Sequence, residues 1–372
     1  MQFIGTDLHT NKFTCSYRDE NTPPDARKGN RTETFDLNDY GISKFIETLE
    51  VESYVLVEAT ITTFAFVRLI QPFVKKVFVA NTYELKQISQ ARNNTDKIDA
   101  NILSRTIKMQ VLSGEQLISP VFVPSEEIQE LRSLFSTYRL QKKQTTQIKN
   151  RIHSLLKEQL YGFTQEEIFD KKSREKIRNI SCSAALSFQL NYLFDQLEFI
   201  ETQVELLKEQ ILLQAAPHIK EIEIMTSMKG ISPFIAAAII ADIAAVDRFK
   251  NSKHFTSYLR SAPKVSNSNT SEKNRGINKQ GRKLSSTLIT QSLNHVLDAS
   301  RRLSRWYENQ TGNKKAGIVR TGLRRKVFTE IYKMLVKGEY HYAREEQKHK
   351  AKMSQYRNFR YCSVLHETPN SA

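Results

Sequence analysis

Four carboxylates are placed where they could do chemistry together. Asp7 closes the run Phe3-Ile4-Gly5-Thr6, and Glu58 closes the apolar run Val55-Leu56-Val57. Residues at the carboxyl ends of strands in one sheet can share a crevice. Asp96 and Asp99 are three residues apart on an expected helix, so they point to the same face. Four gathered carboxylates repel one another, and a divalent cation relieves that repulsion. Hard oxygen ligands suit Mg2+ or Mn2+. Two such ions about 3.5–4 Å apart can activate a nucleophile and stabilise a leaving oxygen at phosphorus. Each residue alone has an ordinary reading: Asp7 as a turn cap, Glu58 as the cap of the next helix, Asp96 as an N-cap with Asp99 in its first turn. As a set they point to metal-dependent phosphoryl chemistry. The eight histidines are scattered with no metal-ligand spacing, and Cys15, Cys182 and Cys362 suggest neither a disulfide framework nor a zinc site.

The elements that must position this set alternate between strand and helix. Strands are expected at Phe3–Asp7, Arg31–Leu37, Tyr54–Val57 and Lys76–Ala80, and helices at Tyr40–Leu49, Phe64–Phe73 and Asp96–Ile107. This is α/β order with a mixed sheet. After a connection at Leu117–Pro124, Ser125 can cap a helix reaching about Leu160, with Glu126 and Glu127 in its first turn. A second long helix carries Leu193, Leu197, Ile200, Val204, Leu207 and Ile211 at alternating spacings of 4 and 3, a coiled-coil seam. The two predict an antiparallel helical pair joined by a polar stretch from about Phe163 to Leu190. From Ile222 to Gly338 the chain reads as helical and increasingly basic. Beyond Arg344 it is polar with little apolar period, so fraying, or ordering only on nucleic acid, is expected there. The expected division is 1–120, an α/β domain; 121–219, a long helical coiled-coil region; 220–344, a mostly helical C-terminal domain; and 345–372, a polar tail.

Charge narrows the partner. Fifty-six Lys and Arg against 40 Asp and Glu leave +16 over 372 residues, which favours a polyanion held by counterion displacement. No stretch approaches the roughly 20 apolar residues of a membrane span, so no membrane partner is expected. Met1-Gln2-Phe3-Ile4-Gly5 does not start a signal peptide, and a reducing cytoplasm is the expected compartment.

Ile4-Gly5-Thr6-Asp7, Val57-Glu58-Ala59-Thr60 and Asn94-Thr95-Asp96-Lys97-Ile98-Asp99-Ala100 resemble the DEDD motifs of a group of bacterial insertion-sequence transposases that includes the pilin-gene inverting recombinases. The resemblance implies a RuvC-like, RNase H-type N-terminal domain with Asp7, Glu58, Asp96 and Asp99 as catalytic metal ligands. It continues through Met228-Lys229-Gly230-Ile231-Ser232 and the small-residue run from Ala236 to Ile243. It extends to Arg275-Gly276-Ile277-Asn278-Lys279-Gln280-Gly281-Arg282-Lys283 and to Gly322-Leu323-Arg324-Arg325-Lys326.

The same resemblance implies a C-terminal transposase domain whose serine, between the proline and the Gly-Ile motif, joins covalently to DNA. Ser266, Ser268 and Ser271 are the candidates, and Ser268 has the matching position counted from Pro263 and from Gly276-Ile277. Arg275, Lys279, Arg282, Lys283, Arg324, Arg325 and Lys326 are the expected nucleic-acid contacts, while Trp306 is read as core. The implied partners are DNA, a noncoding bridge-type guide RNA, and further copies of the chain as a homodimer or homotetramer. Three alternatives stay open: a site-specific invertase of the same family, a RuvC-like junction nuclease needing no serine, and a non-catalytic nucleic-acid-binding scaffold.

Overall fold

The computed structural model describes residues 1–23, 26, 28–81, 95–268, 271–277, 280–312 and 314–366, with backbone only at 169, 264–275 and 359–366. The chain forms two compact units, Met1–Pro124 and Ser125–Ala372.

The first unit is built on a five-stranded sheet of β1 (Gln2–Leu8), β2 (Lys12–Asp19), β3 (Arg31–Asp36), β4 (Ser53–Glu58) and β5 (Lys76–Ala80), in the order β3-β2-β1-β4-β5. β1, β2 and β3 run antiparallel, whereas β4 lies parallel to both β1 and β5. This mixed arrangement is consistent with an RNase H-like domain.

Side chains alternate between the two sheet faces. On one face Ile4, Phe13, Cys15, Val55 and Val57 pack with Phe45 of α1 (Asp39–Ile46) and with Phe66 and Ile70 of α2 (Thr63–Ile70). The Phe13 ring meets those of Phe45 and Phe66 at 5.3 and 5.0 Å. On the other face Phe3, Leu56, Phe78 and Ala80 pack with Leu103 and Ile107 of α3 (Asp96–Ser113).

β2 is absent from the segment pattern read above. Its small polar residues Thr14 and Ser16 imitate a loop, yet both are buried. Ser16 Oγ donates to Asn101 Oδ1 at 2.9 Å, and Arg18 Nε donates to Ser104 Oγ at 3.0 Å. The polar face of β2 is therefore matched to polar groups on α3.

In the second unit α4 (Glu126–Glu158) is joined to the long α7 (Ala184–Gln214) through α5 (Gln165–Phe169) and α6 (Lys171–Arg178). α4 and α7 pair antiparallel. Ile152, Leu155 and Leu156 pack with Leu186, Leu190, Phe194 and Leu197, while Gln214 reaches back to Glu130 at 2.7 Å. Of the six positions expected to form a seam on α7, Leu197, Val204 and Ile211 are buried, Leu197 against α4 and the other two in the larger cluster that also takes in Ile222 and Ala236. Ser125 occupies the N-cap of α4, but its hydroxyl makes no capping bond. Glu201 is clamped by Arg174 at 2.7 Å and Lys149 at 2.9 Å; these partners hold its carboxyl down at about 2 against the opposing effect of burial.

The rest of this unit comprises α8 (Ile219–Thr226), α9 (Pro233–Ile243), α10 (Ser252–Tyr258), the antiparallel pair β6 (Pro263–Ser268) and β7 (Ser271–Ile277), α11 (Leu284–Ala299), α12 (Arg301–Thr311), α13 (Ala316–Lys337) and α14 (Glu346–His366). Ala236, Ala237 and Ala238 of α9 are fully buried, and their small side chains let neighbouring helices approach closely.

Two expectations need correction. The serine-rich segment is a β-hairpin within a helical region, and the polar tail continues as a helix. α14 is held because His349, Met353 and Tyr356 recur at helical spacing and all three are buried. Tyr356 donates to Leu212 O at 2.8 Å, and Lys352 Nζ donates to Thr226 O and Ile231 O, each at 3.1 Å.

α3 crosses β1 at Gly5, where a Cβ would overlap the Ala100 carbonyl oxygen, the Ser104 nitrogen and Leu103 Cβ. Gly5→Ala is expected to destabilise the first unit by about 2–4 kcal/mol, because two backbones would have to separate. Urea unfolding of the variant beside wild type measures this, and an unchanged midpoint would show that the crossing is not as close as described.

Candidate metal centre

The sheet register brings the two strand carboxylates side by side. Thr6 pairs with Val57 across the parallel β1–β4 ladder, so Asp7 and Glu58 follow in step at the carboxyl ends of both strands. The period of two puts them on the face that carries Phe3 and Leu56, the face covered by α3. The backbone beyond Glu58 is fixed by Ala59 N–H donating to Ala80 O at 3.0 Å. Thr63 Oγ1 donates to Glu58 O at 2.6 Å and accepts from Thr60 N at 2.8 Å. Glu58 is thus a strand-end residue, and the N-cap position of α2 belongs to Thr62.

α3 supplies the other two carboxylates. Thr95 is its N-cap, accepting from Ile98 N at 3.4 Å, so Asp96 and Asp99 both stand in the first turn. Asn101 anchors that turn to the sheet, since its Oδ1 accepts from Ser16 Oγ at 2.9 Å and from Gly29 N at 2.6 Å.

The four converge electrostatically. Asp7 is 5% exposed. Burial pushes its carboxyl up to about 6, with Asp99, Glu58 and Asp96 adding to the rise and His9 opposing it. Asp99 is raised as well, by burial and by the charge of Asp96. For Asp96, burial acts upward but is outweighed by His9 and Lys12, which hold it below the usual carboxylate value.

His9 is the residue the sequence reading misses. Its Nε2 lies 3.1 Å from Asp7 Oδ2 and 3.1 Å from Asp96 Oδ1, and Lys12 Nζ lies 3.4 Å from Asp96 Oδ2. The reading of all eight histidines as scattered is thereby corrected. The available signal was the step of two from Asp7 to His9 at a strand end, which returns a side chain to the same face. Asp7, His9 and Asp96 each offer a ligand atom within 4.8 Å of the others. The donor set is rich in oxygen, partly buried and over-supplied with negative charge, so it fits a hard divalent cation. Asp7, His9 and Asp96 could hold such an ion, and Glu58 and Asp99 add their charges to the field at Asp7.

The other expected site residues lie in the second unit. Ser266 and Ser268 stand on β6 and Ser271 on β7, with Ser268 paired to Ser271 and Ser266 to Lys273. Arg275 is on β7, while Lys279 lies outside the described residues. Arg282 and Lys283 lead into α11, and Arg324, Arg325 and Lys326 sit on α13. Arg324 is committed internally: Nε donates to Ser261 Oγ at 3.0 Å, Nη1 to Thr290 Oγ1 at 3.0 Å and Nη2 to the Arg260 carbonyl at 2.9 Å. Trp306 packs against the core with Lys326 Nζ 4.7 Å from its ring centroid. Among the described residues, no helix is long and apolar enough to cross a membrane.

Two family models match the chain. Residues 4–160 match a transposase model named for its DEDD residues and for IS110. Residues 222–308 match the model of the transposase IS116/IS110/IS902 family. No curated protein sequence matches the chain.

A buried carboxylate raised above its unfolded value weighs on the metal-free fold. That weight is absent below the ordinary carboxylate range and complete once the pH exceeds about 6. Asp7→Asn is therefore expected to stabilise the metal-free protein at neutral pH by about 1–3 kcal/mol, with the gain fading as the pH falls toward 4. Added Mn2+ should raise the melting temperature of wild type and not of the variant. Thermal unfolding across pH with and without Mn2+ tests both, and equal Mn2+ stabilisation of the two proteins would remove Asp7 from the ion site.

Proposed function

Because the chain belongs to the IS110/IS116/IS902 transposase family, and transposases of this family cut and move DNA, we propose that it cuts and rejoins DNA strands by pairing a carboxylate-held divalent cation with a serine nucleophile. The observation that carries this reading is the convergence of Asp7 and Glu58, at the ends of two parallel strands, with Asp96 and Asp99 on the helix above them. Mg2+ or Mn2+, when bound, supplies Lewis acidity for the entering and leaving oxygens at phosphorus.

The protein's own groups do the rest. His9 Nε2 lies between Asp7 and Asp96, and Lys12 makes a second contact to Asp96. Ser268 forms a bond from its Oγ to a DNA phosphorus while the bond to a deoxyribose oxygen breaks. The displaced oxygen takes up the proton that the serine gives up. Attack of a deoxyribose hydroxyl on the phosphoserine then restores the free serine and seals a strand. The covalent step keeps the phosphodiester energy, so no external cofactor is needed for rejoining. Ser268 ends β6 paired with Ser271 of β7, and strand pairing positions a backbone more reproducibly than a free loop does, which supports this role. Arg275, Lys279, Arg282, Lys283, Arg325 and Lys326 are assigned to the flanking phosphates, with Arg324 bracing the segment from inside.

DNA is the principal partner, and a bridge-type noncoding RNA is proposed as the guide. The net charge of +16 and the family resemblance of both halves support it. Assembly into a dimer or tetramer is proposed through the outward face of α7. There Phe188, Tyr192, Phe199 and Leu206 are 72%, 55%, 65% and 53% exposed and follow a heptad-like stripe opposite the buried seam.

Ser268→Ala should abolish a covalent protein–DNA adduct, whereas Ser266→Ala and Ser271→Ala should retain it. The assay incubates protein, junction DNA and the element's RNA with Mg2+ and resolves adducts under denaturing conditions. Normal adduct with Ser268→Ala would reassign the nucleophile, and normal cleavage by all three without any adduct would favour a metal-and-water nuclease. A separate expectation is that Phe188→Glu with Phe199→Glu shifts the protein to a monomer in sedimentation. A wild type that is monomeric both free and on nucleic acid would remove the assembly surface.

A further inference from the structure

In the second unit Arg282 and Lys283, assigned above to flanking phosphates, share a cleft with arginines that the sequence did not connect with them. Arg132 and Arg139 on α4, Arg260 after α10, and Arg282 and Lys283 before α11 line one cleft of about 370 Å3. Among the described residues that line it, Asp242 is the only carboxylate. It is buried, and its Oδ2 accepts from Ser285 N at 2.9 Å and Ser285 Oγ at 2.7 Å, so it serves the start of α11. Among the described residues, none of the five cations has a carboxylate within ion-pair distance.

The cleft is also rigidly built. Arg132 is fixed by donating from Nε to Ala241 O at 2.6 Å and from Nη2 to Asp242 O at 3.2 Å. Burial and the nearby charge of Arg282 push its guanidinium down to about 10. Arg260 adopts a left-handed backbone with φ of 50°, which an L-residue with a side chain resists. It is held there by its Nε donating to Gly281 O at 2.7 Å and by Arg324 donating to its carbonyl at 2.9 Å. Gly281, with φ of 95°, lies so close to α10 that a Cβ would overlap the Tyr258 carbonyl. The next residue, Arg282, donates its N–H to that same carbonyl at 2.9 Å. A strained backbone and cations that outnumber the single buried carboxylate of Asp242 leave a surplus of positive charge, which an arriving anion would relieve.

We propose that this cleft is a seat for a DNA backbone phosphate, with Arg139 and Arg282 as its principal ligands and Arg132 and Arg260 as fixed neighbours. Planar guanidinium forks match phosphate oxygens in bidentate geometry, and several around one cleft suit a phosphodiester better than a single carboxylate. The proposal rests on the family's DNA substrate and is independent of the metal and serine chemistry, because phosphate seating needs neither.

The test uses the full chain in EDTA, where no strand is cut. Binding of a labelled DNA duplex is followed by fluorescence anisotropy over a salt series. Arg139→Ala/Arg282→Ala is compared with Lys220→Ala/Lys253→Ala, which removes the same charge from exposed positions elsewhere in this unit. Arg139→Ala alone serves as a second variant, since that side chain is exposed and its loss spares the fold. The double cleft variant should bind about ten-fold more weakly than the control, with the slope of log affinity against log salt smaller by about 1. The single variant should show part of that loss. Equal affinities and slopes for the cleft and control variants would overturn the proposal. So would a loss seen with inorganic phosphate or duplex RNA as the probe but not with DNA.

Discussion

The chemistry of the first unit depends on how closely α3 lies on β1, and a missing side chain sets that distance. At Gly5 the helix backbone occupies the space a Cβ would need. The first turn of α3 is thereby lowered to the carboxyl end of β1, where Asp96 and Asp7 reach the same imidazole. Asn101 and Ser104 tie the helix to β2 from the side, so it is held against sliding as well as lifting. Burial of Asp7 follows from this contact. Burial raises the cost of its charge, and three further carboxylates in the same field raise it again. The fold in this way creates a demand for positive charge that the one contact of Lys12 to Asp96 meets only in part.

The second unit poses the opposite electrostatic problem. In its cleft Arg132, Arg139, Arg260, Arg282 and Lys283 gather with one carboxylate among the described lining residues, and that one, Asp242, accepts from Ser285. Arg324 shows that a basic run divides by tertiary position. Its guanidinium fixes Ser261, Thr290 and the strained Arg260, whereas the neighbouring Lys326 is exposed over Trp306. One arginine thus stabilises the backbone from which others present their charge. A charge count alone treats these roles as equal.

The helical frame of this unit is cooperative in a similar way. α9 offers small side chains in its middle, which lets it serve as the centre of a cluster reaching from Ile128 of α4 to Tyr356 of α14. α14 closes that cluster with Met353 and Tyr356, and Lys352 satisfies two carbonyls at the turn between α8 and α9. A segment that looks polar by composition therefore completes a core, because three buried positions at the right spacing suffice when the partner surface already exists.

The amino-acid sequence by itself determined the elements of the first unit other than β2, the two long helices and the residue types of the carboxylate set. Those properties are local: period-two and period-3.6 patterns arise within a few residues, and strand-end acids are visible from the apolar runs before them. An apolar stripe along α7 was legible for the same reason, and Leu197, Val204 and Ile211 of it are buried. Only the tertiary structure decided that β2 is a strand, that His9 bridges Asp7 and Asp96, that Arg324 faces inward, and that Arg132 and Arg139 of a long helix meet Arg282 from a segment far along the chain. Each of these rests on residues distant in sequence brought within a few ångströms. No local pattern encodes such a contact, because its energy belongs to the pair and not to either segment.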